Sequence, residues 1–172
     1  MQKKIENSKM KEVQAIIQPL IGQRAWDARI GVGSFLLIEF GKVVSKTAKA
    51  TPRRPEYTYD RGEWGLWLYG CQWRIEHKET ILSSSVSETR GEMELAVSKF
   101  NSQTVETIDI AEPFWDAVFT FSNGHILKTF STYMIDEHWT LRTPNGKYLA
   151  AGPGTNWEYR PGNIPPSGQN KP

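Results

Sequence analysis

The chain has 172 residues, enough for one domain to bury about two-thirds of its unfolded surface without staples. Its formal net charge of +2 is too small to mark a nucleic-acid or membrane partner by itself, and the lone Cys71 excludes an intramolecular disulfide. Aromatic residues make up 12% of the sequence, with seven tryptophans among them, and rings of that size either fill a core or mark a binding surface.

No apolar run approaches the ~20 residues needed to span a bilayer. The N-terminal stretch Met1 to Asn7 lacks the apolar segment of a secretion signal, so a soluble, cytoplasmic protein is expected. Residues Ser8 to Gln18 place Met10, Val13, Ile16 and Ile17 at helical spacing, with Ser8 as cap and Pro19 as stop. Two strands follow, Arg24 to Ile30 and Ser34 to Gly41, joined through Gly31-Val32-Gly33. In the second, Leu36, Ile38 and Phe40 share one face, while Phe35, Leu37 and the charged Glu39 share the other. From Lys42 to Arg54 there are cations at Lys42, Lys46, Lys49, Arg53 and Arg54 and no acid. With Pro52, Pro55, Tyr57 and Tyr59 this predicts a strand end and an exposed basic loop over residues 46–61.

Residues Gly62 to Glu76 hold three tryptophans and read as one central strand. Alternation sets Trp67, Tyr69, Cys71, Trp73 and Ile75 on a covered face, with Cys71 as a small buried hydrophobe. Ser87 is placed to cap a second helix whose stripe is Met93, Ala96, Val97 and Phe100, and a strand from Thr104 to Ile110 is stopped by Pro113. Ala117 to Phe130 predicts a hairpin on Asn123-Gly124 in a type I′ turn, with Phe121 opposite Ile126. Trp139 to Ala150 predicts another around Thr143-Pro144-Asn145-Gly146, whose three-residue loop sets Leu141 against Leu149. Residues 1–160 then form a single α+β domain, and 161–172 a flexible Gly/Pro-rich tail. The sheet is largely antiparallel, curled or in two parts, with one or two packed helices. An internal repeat of hairpin units is suggested by Phe35 to Gly41 with Trp64-x-Leu66, matched by Val118 to Gly124 with Trp139-x-Leu141.

For chemistry the signals are sparse. His77, His125 and His138 are scattered, and no nucleophile, phosphate-cradling or dinucleotide motif is present, so no metal and no cofactor are expected. Were the chain an enzyme, Glu39, Asp27, His138 and Arg74 would be the acid–base candidates, since a carboxylate on an apolar strand titrates high unless paired. The simpler reading places Glu39 at a strand end facing water or Arg74. Nucleic acid is disfavoured as a partner because acids elsewhere nearly cancel the basic stretch. Trp115 and Trp157, in Pro- and Gly-containing stretches, look free to face outward, and with Tyr57 and Tyr59 they are the candidates to anchor a protein partner.

The pattern Phe119-x-Phe121-x-x-Gly124, Trp139-x-Leu141, Pro144-Asn145-Gly146 and Leu149 resembles that of small uncharacterised bacterial proteins, some of which sit beside toxins as immunity proteins. The resemblance covers the last third of the chain and implies a non-catalytic bacterial binding protein. The expected function is a non-enzymatic, intracellular protein-binding module, an immunity or accessory protein. The alternative is a small-molecule or carbohydrate-binding protein, or an unrecognised enzyme, with its pocket between sheet and helix.

Overall fold

The computed structural model describes residues 2–87 and 89–164. Helix α1 (Gln2–Ile17) runs into a single 3₁₀ turn (Gln18–Leu20) with Pro19 in its first turn. Strands β1 (Ala25–Ile30), β2 (Leu36–Ala48), β3 (Tyr57–Leu68), β4 (Gln72–His77) and β5 (Thr80–Ser84) follow. Helix α2 (Arg90–Ser98) then leads into β6 (Val105–Ala111), β7 (Asp116–Phe121), β8 (Ile126–Phe130), β9 (Trp139–Arg142), β10 (Lys147–Ala151) and β11 (Trp157–Pro161). The strands make two antiparallel sheets, a larger one in the order β1-β2-β3-β9-β10-β11 and a smaller one in the order β5-β4-β8-β7-β6. Their inner faces share one core with both helices. Leu36, Ile38, Trp64 and Leu66 of the larger sheet join Trp73, Ile75, Phe119 and Leu127 of the smaller, closed by Val13 and Ile17 of α1 and Met93 and Val97 of α2.

Helix α2 also seals the edge of the larger sheet. Arg90 donates to the carbonyls of Ile30 and Gly31 at 2.8 and 2.9 Å, and Asn101 Oδ1 accepts from the Ala28 amide, which a bulge after Trp26 leaves out of the ladder. The cap of α2 is Thr89 rather than the expected Ser87. Thr89 Oγ1 accepts from the Glu92 amide while Glu92 reaches back to the Thr89 amide, a reciprocal pair that Ser87 has no carboxylate in place to form.

The stretch read as one central strand is two strands in two sheets. β3 ends at Leu68, residues 69–71 cross over, and β4 begins at Gln72. The break sits at Gly70, where a Cβ would lie 2.0 Å from the Glu137 carbonyl oxygen, so only glycine admits this approach. Leu68 and Trp73 both face inward although they stand five positions apart, an odd offset, and the alternation therefore restarts out of phase. Trp73 is buried at 1% exposure, but Trp67 stands on the outer face at 43%.

The expected basic loop is also shorter than 46–61. Lys46 pairs with Tyr59, Thr47 with Thr58 and Ala48 with Tyr57, leaving residues 49–56 as the turn of a ribbon that extends β2 and β3. Both faces of that ribbon are wet, which is why apolar periodicity could not reveal it. In the β7–β8 hairpin the Phe121 amide bonds the His125 carbonyl at 2.9 Å, with Gly124 at φ +77°. The loop therefore has three residues, not two, and Ile126 faces Thr120 instead of Phe121. In the β9–β10 hairpin Leu141 faces Leu149, as the proline-bearing loop predicts. β11, which the sequence reading left unassigned, pairs with β10 along its length. The expected tail lies outside the described residues from 165 onward.

The larger sheet joins β1, β2 and β3 of the first half to β9, β10 and the edge strand β11 of the second, and the smaller joins β6, β7 and β8 of the second half to β4 and β5 of the first. Each half opens with a helix, and an antiparallel bridge between Arg24 and Thr104 joins the points where β1 and β6 begin.

Two outcomes test this description. In a denaturant titration Trp73→Ala should cost ~3–5 kcal/mol, whereas Trp67→Ala should cost less than ~1 kcal/mol, and the opposite ranking would place the wrong ring in the core. Trypsin should cut the folded protein at Lys49 or Arg53 in the ribbon turn before Lys46 or Arg61, where backbone pairing resists the protease.

Candidate functional site

The two segments that cross between the sheets meet each other. The amides of Tyr69 and Gly70 both donate to the His138 carbonyl, at 3.3 and 3.0 Å, so the β3–β4 crossing lies against the β8–β9 crossing. Beside the junction is a groove of about 340 Å³, lined by Phe35, Tyr69, Gln72, Thr132, Tyr133 and Asp136 among others. Its rim is aromatic. Trp67 and Tyr69 lie 4.5 Å apart between ring centroids, and Phe35 meets both edge-on at 6.3 and 6.2 Å. The β8–β9 segment adds Tyr133, Met134 and Ile135, all exposed, with Met134 at 86%. Phe35, Trp67, Tyr69 and Tyr133 form an aromatic rim on a surface that is polar farther along the same sheet face.

That polar face is built from buried pairs. Glu39 Oε2 accepts from Arg142 Nη2 at 2.5 Å and from the Gly62 amide at 2.8 Å, and the same guanidinium nitrogen donates to the Gly62 carbonyl at 3.1 Å. Arg142 lies flat across Gly65, where a Cβ would stand 2.7 Å from Nη2; a side chain at this position would displace the guanidinium. Nearer the groove, Tyr69 Oη donates to Glu137, whose other carboxylate oxygen accepts from Arg160 at 2.7 Å. Burial, and then the hydrogen bond to Glu137, raise the pKa of Tyr69 above its ordinary value, so its hydroxyl remains a donor at any physiological pH. Burial, with the Asp116 carboxylate adding to it, pushes the Cys71 thiol up to about 12, and a protonated thiol is a poor nucleophile.

The acid–base candidates do not converge. Glu39 is engaged by Arg142, not Arg74. Arg74 stands in the smaller sheet, 2.5 Å from Glu76 and over the Phe130 ring. Asp27, at φ +48° in the β1 bulge, pairs with Arg29 at the surface. His138 is buried, with Nε2 bonded to the Tyr133 carbonyl at 3.0 Å. Among the described residues no group of three or more His, Cys, Asp or Glu side chains could hold a metal ion. No described helix is long and apolar enough to cross a membrane.

Of the candidate anchors, Tyr57 and Tyr59 are exposed on the ribbon at 40% each. Trp115, expected to face outward, is instead buried at 2%. Its Nε1 donates to the Thr155 carbonyl at 3.0 Å and its ring meets the partly buried Trp157 edge-on at 6.2 Å, so the surrounding prolines and glycines shape a packed corner. The residues that sequence reasoning missed are Phe35, Trp67, Tyr69 and Tyr133. The missing signal was present on the Trp67 side of β3, where Arg61, Glu63 and Gly65 precede it at alternate positions and mark a non-core face.

Compared with protein-family models, with curated proteins and with solved structures, the chain matches none.

Removing Arg142 alone should strand a buried carboxylate, so Arg142→Met is expected to cost ~3–5 kcal/mol, and the double change Glu39→Met, Arg142→Met much less. A double loss equal to the sum of the two single losses in a denaturant titration would show that the pair is not coupled. Tyr69 contributes stability that is fully present below about 10, where the unfolded side chain titrates, and is lost as pH rises above that value. The stability gap between wild type and Tyr69→Phe should therefore narrow in alkaline solution and stay constant between neutrality and mild alkalinity.

Proposed function

We propose that this chain is a non-enzymatic protein-binding module that recognises its partner through the ring-lined groove where the two crossings meet. The observation that carries the reading is Trp67, a tryptophan 43% exposed and held by Phe35 and Tyr69 on the rim of the groove. An exposed but immobilised ring loses little conformational freedom on binding, which is what an interface anchor needs. Met134 and Ile135, exposed directly after the groove-lining Tyr133, add apolar area that a partner could cover. A ligand pocket between sheet and helix has less support: the crevice bounded by Val13, Trp115, Trp139, Leu149 and Trp157 leaves no room for a water molecule. The intracellular setting and the immunity or accessory role belong to the same proposal, and their support is the pattern from Phe119 to Leu149.

We further infer that the fold is a duplicated unit, helix followed by five strands, in which each copy lends its last two strands to the other's sheet and the second copy adds β11 at the edge. The support is positional. Trp73 of β4 and Trp139 of β9 occupy matching places, both 1% exposed, and both begin a Trp-x-aliphatic pattern, with Ile75 and Leu141. The Trp73 indole N–H donates to the Ser34 carbonyl in the β1–β2 connection at 2.7 Å; that of Trp139 donates to the Trp115 carbonyl in the β6–β7 connection at 2.9 Å. The equivalent of Trp139 is then Trp73, not Trp64 as the sequence alignment of hairpins suggested.

The binding reading is tested with tagged wild type and a Trp67→Ala variant used to capture proteins from the source cell, followed by titration of the captured partner. Loss of the anchor should weaken the complex by ~2 kcal/mol or more while the thermal midpoint of the free variant stays near that of wild type. Undiminished capture by Trp67→Ala, or a bound metabolite and no protein with the wild type, would reject the proposal.

A further inference from the structure

The ribbon that carries Tyr57 and Tyr59 concentrates charge to a degree the whole-chain total conceals. Residues 42–61 hold six cations and two acids, a net of +4 within a chain whose total is +2, so the rest of the molecule is slightly acidic. The two faces of the ribbon differ. On one, Asp60 accepts from Ser45 at 2.5 Å and Thr47 meets Thr58 at 3.4 Å, a closed polar layer. On the other, Tyr57, Tyr59 and Arg61 of β3 stand opposite Ala48, Lys46 and Val44 of β2, with no acid among these paired positions. The extra residue that shifts register between Phe40 and Val43 belongs to β2, so β3 alternates without a break from Tyr57 to Trp67. The basic part of this face, Tyr57 to Arg61, leads through Glu63, which accepts from the Lys42 amide at 3.3 Å, to the part that presents Trp67, over about 33 Å of strand.

We propose that this face binds a carboxylate-rich segment of the protein partner, as an extension of the groove; the inference rests on the protein-binding reading above. The donors suit carboxylates. Arg54 Nη1 donates to Tyr57 Oη at 3.2 Å, and its guanidinium carbon sits 4.7 Å from the ring centroid, which fixes the cation beside the hydroxyl. Lys46 stands across from Tyr59, and Arg61 opens into a second groove of about 440 Å³ shared with Arg142 and Tyr148. The same geometry disfavours single-stranded nucleic acid. A base needs a free ring face, but Arg54 covers Tyr57, and the Tyr57 and Tyr59 rings lie 5.7 Å apart at 37° to each other, too close and too tilted for a base to enter between them.

The test uses an oligoglutamate peptide and an oligothymidylate of equal charge, each labelled, with binding read by fluorescence anisotropy at low and high salt. Wild type should bind the peptide more tightly than the oligonucleotide, and Lys46→Glu with Arg61→Glu should weaken the peptide about tenfold or more. A charge reversal outside the ribbon and the groove, Lys11→Glu on the exposed side of α1, should leave peptide binding unchanged. An oligonucleotide bound as well as or better than the peptide would overturn the inference in favour of nucleic acid; binding of neither, or binding indifferent to the charge reversals in variants with native circular dichroism, would overturn it outright. The two readings fail separately, because the groove is judged by loss of the captured protein in Trp67→Ala and the ribbon by a defined peptide.

Discussion

The contact of Gly70 with the backbone at Glu137 and His138 is the constraint on which the rest of the molecule depends. Here the chain leaves the larger sheet for the smaller, and the returning segment passes within hydrogen-bonding distance of it. Two amides share one carbonyl, so neither crossing can shift without disturbing the other. Because the crossings carry β4 into one sheet and β9 into the other, the sheets cannot separate as independent layers. Their inner faces form a single core in which Trp73 and Trp139 each hold a strand connection by an indole N–H.

The groove follows from the same junction. A chain that switches sheets must turn its side chains, and the out-of-phase restart after Leu68 is what leaves Trp67 and Tyr69 outside while Trp73 goes in. Phe35, at the end of the β1–β2 connection, and Tyr133, in the second crossing, are brought against them by the two segments that the junction joins. Farther along the face the polar residues are used to hold themselves. Glu39 with Arg142, and Tyr69 with Glu137 and Arg160, pair their buried charges with each other, while Asp136 lines the groove itself.

Much of the fold could be read from local pattern because local pattern decides it. The stripe of Met93, Ala96, Val97 and Phe100, the inward face of Leu36, Ile38 and Phe40, and the Leu141–Leu149 register each depend on a few neighbouring residues. What escaped depends on distant ones. That Gly70 breaks a run of strand-formers is set by Glu137, that Trp115 is buried is set by Thr155 and Trp157, and that Glu39 has a partner is set by Arg142. The ribbon escaped for a different reason, since a two-stranded extension with both faces in water has no apolar alternation to detect. Of the candidate site, Tyr57 and Tyr59 were legible as exposed rings. The groove was not, because its rings come from three separate stretches and share a face only after the sheets have formed.

The most direct measurement is the titration of isotope-labelled protein with its captured partner, followed through the seven tryptophan indole N–H signals assigned by substitution. The account expects the Trp67 signal to shift or broaden first, with Trp73, Trp115 and Trp139, whose N–H groups are bonded to carbonyls inside the protein, staying in place. A Trp67 signal that does not respond while Trp115 or Trp139 does would contradict it, because the partner would then be engaging the packed corner of the molecule and the groove at the crossing would have no part in recognition.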